Sequence, residues 1–313
     1  MHLKKGQNWR LSLGIAFASG VCMGAAPAPL NAWPLAWIAL APLWYLTQRH
    51  RAKEAALLGA MWGAGYHGLA LSWITGVHPM TWLGVPWLAS LAIALTCWAF
   101  ITLWGAVLVA IWAGGMAISH FWILDFRGWI VPESSTQNAF LVPEPGQKSK
   151  ISSWRRLLFG VGLWSGLEWL WSHTPLWWTS LAYTQSPGNL AVLHLGQLSG
   201  PLTVTASLVA INGLVAEAWL NVRPRWPRFG LAAILLVSLH LAGWGLYSFP
   251  LAQPRDTALK VGIIQGNIPN EVKLDTAGWR RALAGYTTGY QALAAQGVDA
   301  VLTPEGALPF LWT

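Results

Sequence analysis

Residues 303–309 read Thr303-Pro304-Glu305-Gly306-Ala307-Leu308-Pro309, and Glu305 is the side chain here with the clearest chemical potential. It follows Asp299-Ala300-Val301-Leu302-Thr303, a β-rich run that Pro304 stops. Folds of the α/β class place reactive groups just past the carboxyl ends of buried strands. A carboxylate at such a point can serve as a general base. The plain alternative is a solvated carboxylate in a Pro-Glu turn.

The elements that position Glu305 begin at Leu259. Leu259-Lys260-Val261-Gly262-Ile263-Ile264-Gln265 reads as a strand, broken by Gly266-Asn267-Ile268-Pro269. Its apolar centre suits a central strand covered on both faces. A helix follows, with Asp275 or Thr276 able to cap its start. Trp279, Leu283, Tyr286, Tyr290 and Leu293 recur at spacings of four, three, four and three, which predicts one apolar face. Gly297 suits the position just past the helix end. Strand, helix and strand of these lengths predict a βαβ unit with parallel strands and a right-handed crossover. Residues 255–313 are therefore expected to be the N-terminal part of an extracytoplasmic α/β domain.

The preceding residues have another character. The chain of 313 residues is 55% hydrophobic and only 10% charged, against about 25% charged in soluble chains. So little charge predicts a chain that sits mostly in lipid. The 24 Trp fit, because indoles favour membrane interfaces. Trp104, Trp112 and Trp164 lie deep in apolar runs and suit helix packing instead. Residues 1–254 are expected to form a polytopic helical membrane domain. Its seven spans fall at about 11–30, 32–47, 55–76, 83–118, 156–173, 189–220 and 229–249. The second is short and starts near Pro34, which suits a tilted or partly re-entrant segment. The fourth is too long for one span: one long helix extending past the bilayer is the simpler reading, with a span plus an interfacial helix, or two spans, as alternatives.

Net charge is +8, but its placement argues against nucleic acid. Lys4, Lys5 and Arg10 precede the first run, and Arg49, Arg51 and Lys53 follow the second. Arg127, Lys148, Lys150, Arg155 and Arg156 follow the fourth, and Arg223, Arg225 and Arg228 the sixth. The connections after the first, third and fifth runs hold neither Lys nor Arg. That asymmetry predicts a cytoplasmic N-terminus and an extracytoplasmic C-terminal stretch in an inner (plasma) membrane. The segment from about 119 to 155, rich in Pro, Ser, Glu and Lys, reads as a cytoplasmic linker.

Cys22 and Cys97, each alone in an apolar run, suggest neither a disulfide framework nor a metal site. No cofactor is implied. Glu168, in the outer third of the fifth span, is either functional, or a carboxylate that snorkels to the outer interface or bonds a neighbouring helix. His67, His194 and His240 read as hydrogen-bonded packing residues. Glu217, near the inner end of the sixth span and close to Arg223 and Arg225, is expected to meet the cytoplasmic surface. Gly59, Gly63 and Gly65 are expected to permit close helix packing.

Two motifs in combination, Val261-Gly262-Ile263-Ile264-Gln265-Gly266-Asn267-Ile268-Pro269 and Leu302-Thr303-Pro304-Glu305-Gly306-Ala307-Leu308-Pro309, resemble the opening of the nitrilase-type domain of apolipoprotein N-acyltransferases. Pro34-Leu35-Ala36-Trp37-Ile38-Ala39-Leu40-Ala41-Pro42-Leu43 and Gly65-Tyr66-His67-Gly68-Leu69-Ala70-Leu71-Ser72-Trp73-Ile74 are similar to earlier segments of that family. So are Glu168-Trp169, Trp178 and Tyr183-Thr184-Gln185. Trp171 and Pro175-Leu176-Trp177-Trp178 stand where the family usually has an Arg and Gly-Phe-Pro-Trp.

The resemblance implies an α-β-β-α sandwich for the domain that begins near 255, and ping-pong acyl transfer. A Glu removes a thiol proton, the thiolate attacks an acyl ester of a phospholipid, and a Lys helps stabilise the oxyanion. The resulting thioester passes its acyl chain to the α-amine of an N-terminal diacylglyceryl-cysteine of a lipoprotein. Glu305 matches the general base, and Trp178, Tyr183 and Glu168 become candidate substrate-binding residues. The implied partners are a phospholipid donor, a diacylglyceryl-modified lipoprotein acceptor and membrane lipids. No residue here matches the family's Lys or Cys, and the sequence stops eight residues after Glu305. The expectation is a chain that cannot form the acyl-enzyme alone. A non-catalytic membrane protein, or an amidase or nitrilase on a membrane anchor, remain as alternatives.

Overall fold

A computed structural model describes residues 2–125, 151–220, 226–249, 258–273, 275–304 and 307. The chain divides into two compact units, residues 1–73 with 98–250 and residues 74–97 with 251–313.

The helices in chain order are α1 (His2–Gly24), α2 (Ala41–Thr47), α3 (Ala52–Ala70), α4 (Trp87–Asp125) and α5 (Ile151–Ser172). Two single-turn helices follow, α6 (Leu190–Leu193) and α7 (Gly196–Ser199), then α8 (Pro201–Leu220) and α9 (Trp226–Ser248). Among the described residues, three helical stretches are long and apolar enough to cross a membrane: Trp87–Ile118, Pro201–Leu220 and Trp226–Ser248. The 39 residues of α4 form one continuous helix rising about 58 Å, well past a ~30 Å hydrocarbon layer.

Glycines set the helix register in the first unit. A Cβ on Gly20 would stand 2.0 Å from the Trp62 carbonyl oxygen, and one on Gly24 would stand 2.8 Å from that of Tyr66. Helices α1 and α3 therefore touch backbone to backbone and run parallel. Gly59 packs on Val109 and Gly63 on Ala106, so α3 and α4 run antiparallel. Gly65 closes on the Phe17 carbonyl. The three glycines permit close approach, as small residues do between helices in lipid. Gly213 against Leu157 makes α5 and α8 antiparallel, since Thr205 meets Glu168 nearer the other end. These directions gather Arg49, Arg51, Lys53, Arg155, Arg156 and Arg228 at one end of the unit, here called the basic end.

Its core is a tryptophan cluster. Trp44 and Trp164 each meet Trp112 edge-on, at 5.5 and 5.2 Å between ring centroids, and Trp62 meets Trp164 at 6.0 Å. The indole nitrogens of Trp62 and Trp112 donate to the Ala39 and Gly160 carbonyls at 3.0 and 2.9 Å. Trp112 and Trp164 thus pack helix on helix.

Two expected spans are interrupted. Residues 32–47 form a 3-10 turn (Trp33–Trp37) followed by α2, rather than one continuous helix. Pro34 and Pro42 open these two pieces, where an absent N–H costs least. The amides freed between them bond to Asn212 of α8: its Oδ1 accepts from Leu40 and Ala41 N–H at 2.9 and 3.0 Å. Its Nδ2 donates to the Ala36 and Leu208 carbonyls at 2.9 Å each. Residues 189–220 divide into α6, α7 and α8, with Gly200 at φ 77° between the last two.

In the second unit, β1 (Val261–Ile263) pairs with β2 (Ala300–Leu302) in parallel, Gly262 opposite Val301. Between them lie α10 (Asn270–Lys273) and α11 (Thr276–Ala295). The strand, helix and strand read from sequence are therefore present, and Gly297 follows α11 at φ 63°. The buried face of α11 differs from the expected one. Gly278, Ala282 and Tyr286 are buried, while Trp279, Leu283 and Tyr290 are exposed. The stripe turns toward small residues because the helix lies close to β1: Gly289 packs on Ile264, and Leu293 covers Gly262. In residues 74–97, the Ser90 hydroxyl accepts from Met80 N–H at 2.7 Å and lies 2.9 Å from His78 Nδ1.

Candidate functional site

The polar centre of the first unit lies at the end opposite the basic residues. Its hub is Glu168 on α5, 2% exposed. Oε1 accepts from the Ser180 and Thr205 hydroxyls at 2.5 and 2.7 Å. Oε2 accepts from Trp164 Nε1 at 3.1 Å and from Leu181 N–H at 3.4 Å. Two donors per oxygen satisfy this carboxyl group, and each of the four is neutral.

The bonded segment runs from Thr179 into a 3-10 turn, Leu181–Gln185, which Ser180 caps by accepting from Ala182 N–H at 3.2 Å. Two neighbours on α3 complete the grip. The Tyr66 hydroxyl donates to the Thr179 and Ser180 carbonyls at 3.2 and 3.3 Å. His67 Nδ1 lies 2.7 Å from the Thr179 hydroxyl, and its ring fills the space that a side chain on Gly105 would need. Residues 179–181 are thus held from α3, α5 and α8.

Farther along, Gln185 Oε1 accepts from Asn189 Nδ2 at 2.9 Å, and Asn189 Nδ2 lies 3.0 Å from His240 Nε2. Because His240 Nδ1 must donate to the Leu236 carbonyl (2.8 Å), Nε2 is the acceptor in this pair. His194 is half-buried, with Nδ1 on the Leu190 carbonyl at 2.7 Å.

The four candidate residues therefore differ in placement. Trp178 is 44% exposed, with its ring 5.9 Å from that of Trp73, and Tyr183 is 51% exposed. Glu168 is sealed from the surface and holds the segment that presents these two aromatics. Glu305 lies outside the described residues. Its described flanks are fixed: Ala307 N–H donates to the Pro304 carbonyl at 3.1 Å, just past the carboxyl end of β2. Ala307 also packs with Ala282 and Tyr286 of α11.

At the basic end, Glu217 forms a bidentate ion pair with Arg156, at 2.6 and 2.7 Å. Arg223 and Arg225 lie outside the described residues. The antiparallel packing of α5 on α8 brings residues 61 positions apart into register. Among the described residues, no group of three or more His, Cys, Asp or Glu is placed to hold a metal ion. Sequence reasoning missed Ser180, Thr205, Tyr66 and Asn212. For Asn212 a signal existed, an amide side chain inside an otherwise apolar helix.

Residues 19–214 match the profile of the apolipoprotein N-acyltransferase N-terminal domain. An apolipoprotein N-acyltransferase of Nostoc sp. is 52% identical over 297 residues, or 92% of this chain and 53% of the relative. Enzymes of the same description from Synechocystis sp. and Thermosynechococcus vestitus are 42% and 40% identical, over 93% and 97% of this chain. They are covered over 56% and 53% of their own lengths. The chain spans about half the length of the curated relatives it matches.

Proposed function

The chain belongs to the apolipoprotein N-acyltransferase family, and on that premise we propose that it takes part in N-acylation of lipoproteins at an inner membrane. The observation that carries this reading is the 52% identity to an apolipoprotein N-acyltransferase across 92% of the chain. In the proposed topology, residues 1–254 cross the bilayer seven times, the broken segment 32–47 counted as one crossing. The N-terminus is cytoplasmic, and residues 255–313 open a nitrilase-like domain on the far side. The gathering of basic residues at one end of the helical unit supports that orientation.

The proposed chemistry starts at Glu305. Its carboxylate takes the proton of a cysteine thiol, and the thiolate attacks the acyl ester carbonyl of a phospholipid. The tetrahedral oxyanion, helped by a lysine, collapses to a thioester and a lysophospholipid leaves. The α-amine of a diacylglyceryl-cysteine then attacks the thioester, giving an amide and regenerating the thiol. Of the triad implied by the resemblance, residues 1–313 supply Glu305, since Cys22 lies in α1 and Cys97 in α4. We propose accordingly that the 313-residue chain forms no acyl-enzyme by itself. Trp178 and Tyr183 face the lipid substrates in this scheme, and Glu168 holds them there.

The test joins residues 1–313 to the remaining half of the Nostoc relative and follows acyl transfer from phospholipid to a synthetic diacylglyceryl-peptide. Glu305→Gln should lower turnover about 10²–10⁴-fold, the usual contribution of a general base. Unchanged turnover would remove Glu305 from the mechanism.

A further inference from the structure

Tyr183 stands between two anchors. It is exposed, while Ala182, Thr184 and Gln185 beside it in the 3-10 turn are buried. On one side its N–H donates to the Ser180 carbonyl at 3.0 Å, and Ser180 bonds to Glu168. On the other side runs a chain of side-chain hydrogen bonds that ends on α9.

That chain admits one polarity. His240 Nδ1 donates to the Leu236 carbonyl, so Nε2 accepts from Asn189 Nδ2 at 3.0 Å. The second hydrogen of Asn189 Nδ2 goes to Gln185 Oε1 at 2.9 Å. Gln185 Nε2 then donates to the Trp33 carbonyl and the Thr184 hydroxyl, at 3.4 and 3.3 Å. Backbone carbonyls, which can only accept, close both ends. Turning the Asn189 amide over would set its oxygen against His240 Nε2 and Gln185 Oε1. Turning Gln185 as well would set its oxygen against the Trp33 carbonyl.

The chain fastens a helix that has few other holds. Helix α9 buries only Ala232 and Gly243 among its described residues, and Gly243 lies against the Ala191 carbonyl. His240, about one turn earlier on the same face, has the Trp33 and Trp37 rings at 6.3 and 5.5 Å between centroids. In such an apolar setting each bond is stronger, and leaving one unmade costs more.

We propose that His240 is a positioning residue for acyl transfer: through Asn189 and Gln185 it fixes the turn that presents Tyr183 to a lipid substrate. The assignment rests on the proposal above that Tyr183 faces the lipid substrates. The role belongs to the acceptor atom Nε2 and not to the bulk of the ring.

Two substitutions separate atom from ring. His240→Phe keeps a ring against Trp33 and Trp37 and removes both nitrogens. His240→Gln gives up the ring but can offer Oε1 to Asn189. In the 313-residue chain in detergent, chymotrypsin cleavage after Tyr183 should rise about 2- to 10-fold in His240→Phe, the range of one hydrogen bond. It should return toward the unsubstituted rate in His240→Gln. In the chain joined to the Nostoc half, His240→Phe should raise the KM for a lipid substrate by about the same factor with kcat unchanged, and His240→Gln should restore it. Should His240→Phe fail to fold, Gln185→Met, which removes the acceptor Oε1, takes its place. Faster cleavage in His240→Gln than in His240→Phe assigns the hold to ring packing and overturns the proposal. So does a KM that His240→Phe leaves unmoved while Tyr183→Ala raises it. A KM indifferent to Tyr183→Ala itself overturns the substrate-facing reading of Tyr183, and the proposal with it.

Discussion

The two ends of the helical unit each bury a glutamate, and they satisfy it by opposite means. Glu217, at the basic end, and Glu168, at the other, are both 2% exposed. Glu217 has the Arg156 guanidinium in fork geometry. Glu168 has two hydroxyls, an indole and a backbone amide. A charge pair of this kind fixes two helices to each other strongly, and breaking it leaves a buried charge. Neutral donors bind less strongly each, but they draw in a third element, here the segment from Thr179 to Gln185. One end is built to join helices, the other to hold a loop on top of them.

The same isosteric change at both sites separates the two designs. Glu217→Gln removes the countercharge from Arg156 and should cost about 3–5 kcal/mol, seen as a lower unfolding midpoint in detergent. A loss below 1 kcal/mol, as for exposed pairs, would show that water reaches Arg156 freely. Asn212→Leu comes next. It strands the Leu40 amide inside the core, while Ala41 N–H keeps the Ile38 carbonyl at 3.1 Å, and one unsatisfied donor costs about 1–3 kcal/mol. Glu168→Gln should be mildest, about 1 kcal/mol, because the Ser180 and Thr205 hydroxyls can turn and accept from the new amide. Its signature should be local: faster chymotrypsin cleavage near Trp178 and Tyr183, with the global midpoint almost unmoved. If Glu217→Gln exposes those sites equally, the two ends are not independent.

Much of this was legible in the sequence, for physical reasons that also mark its limit. Apolar run length gave α4 and α9 and their direction of charge. Turn residues gave β1, α11 and β2, with Gly297 closing the helix. Gly59, Gly63 and Gly65 were readable because a missing Cβ on an apolar helix has few other uses. Pairings were not readable. Arg156 with Glu217, and Thr205 with Glu168, depend on which helices touch and in what register, which local spacing does not encode. The face of α11 was placed only in part: Tyr286 and Leu293 turn inward as expected, but counting large apolar residues missed Gly278, which lies against Val272 of α10, and Gly289, which lies against Ile264. For the candidate site, the exposed aromatics Trp178 and Tyr183 were named from family likeness. The hydroxyls that hold them were invisible to hydropathy.

The Asn212 bracket carries a consequence for biogenesis. The amides it satisfies, at Leu40 and Ala41, precede it by 172 and 171 positions. In the proposed topology hydrocarbon offers the Leu40 amide no partner, so the irregular passage after Trp37 is expected to settle into a bilayer only once α8 has been synthesised. The early part of the polypeptide is thus among the last to reach its place.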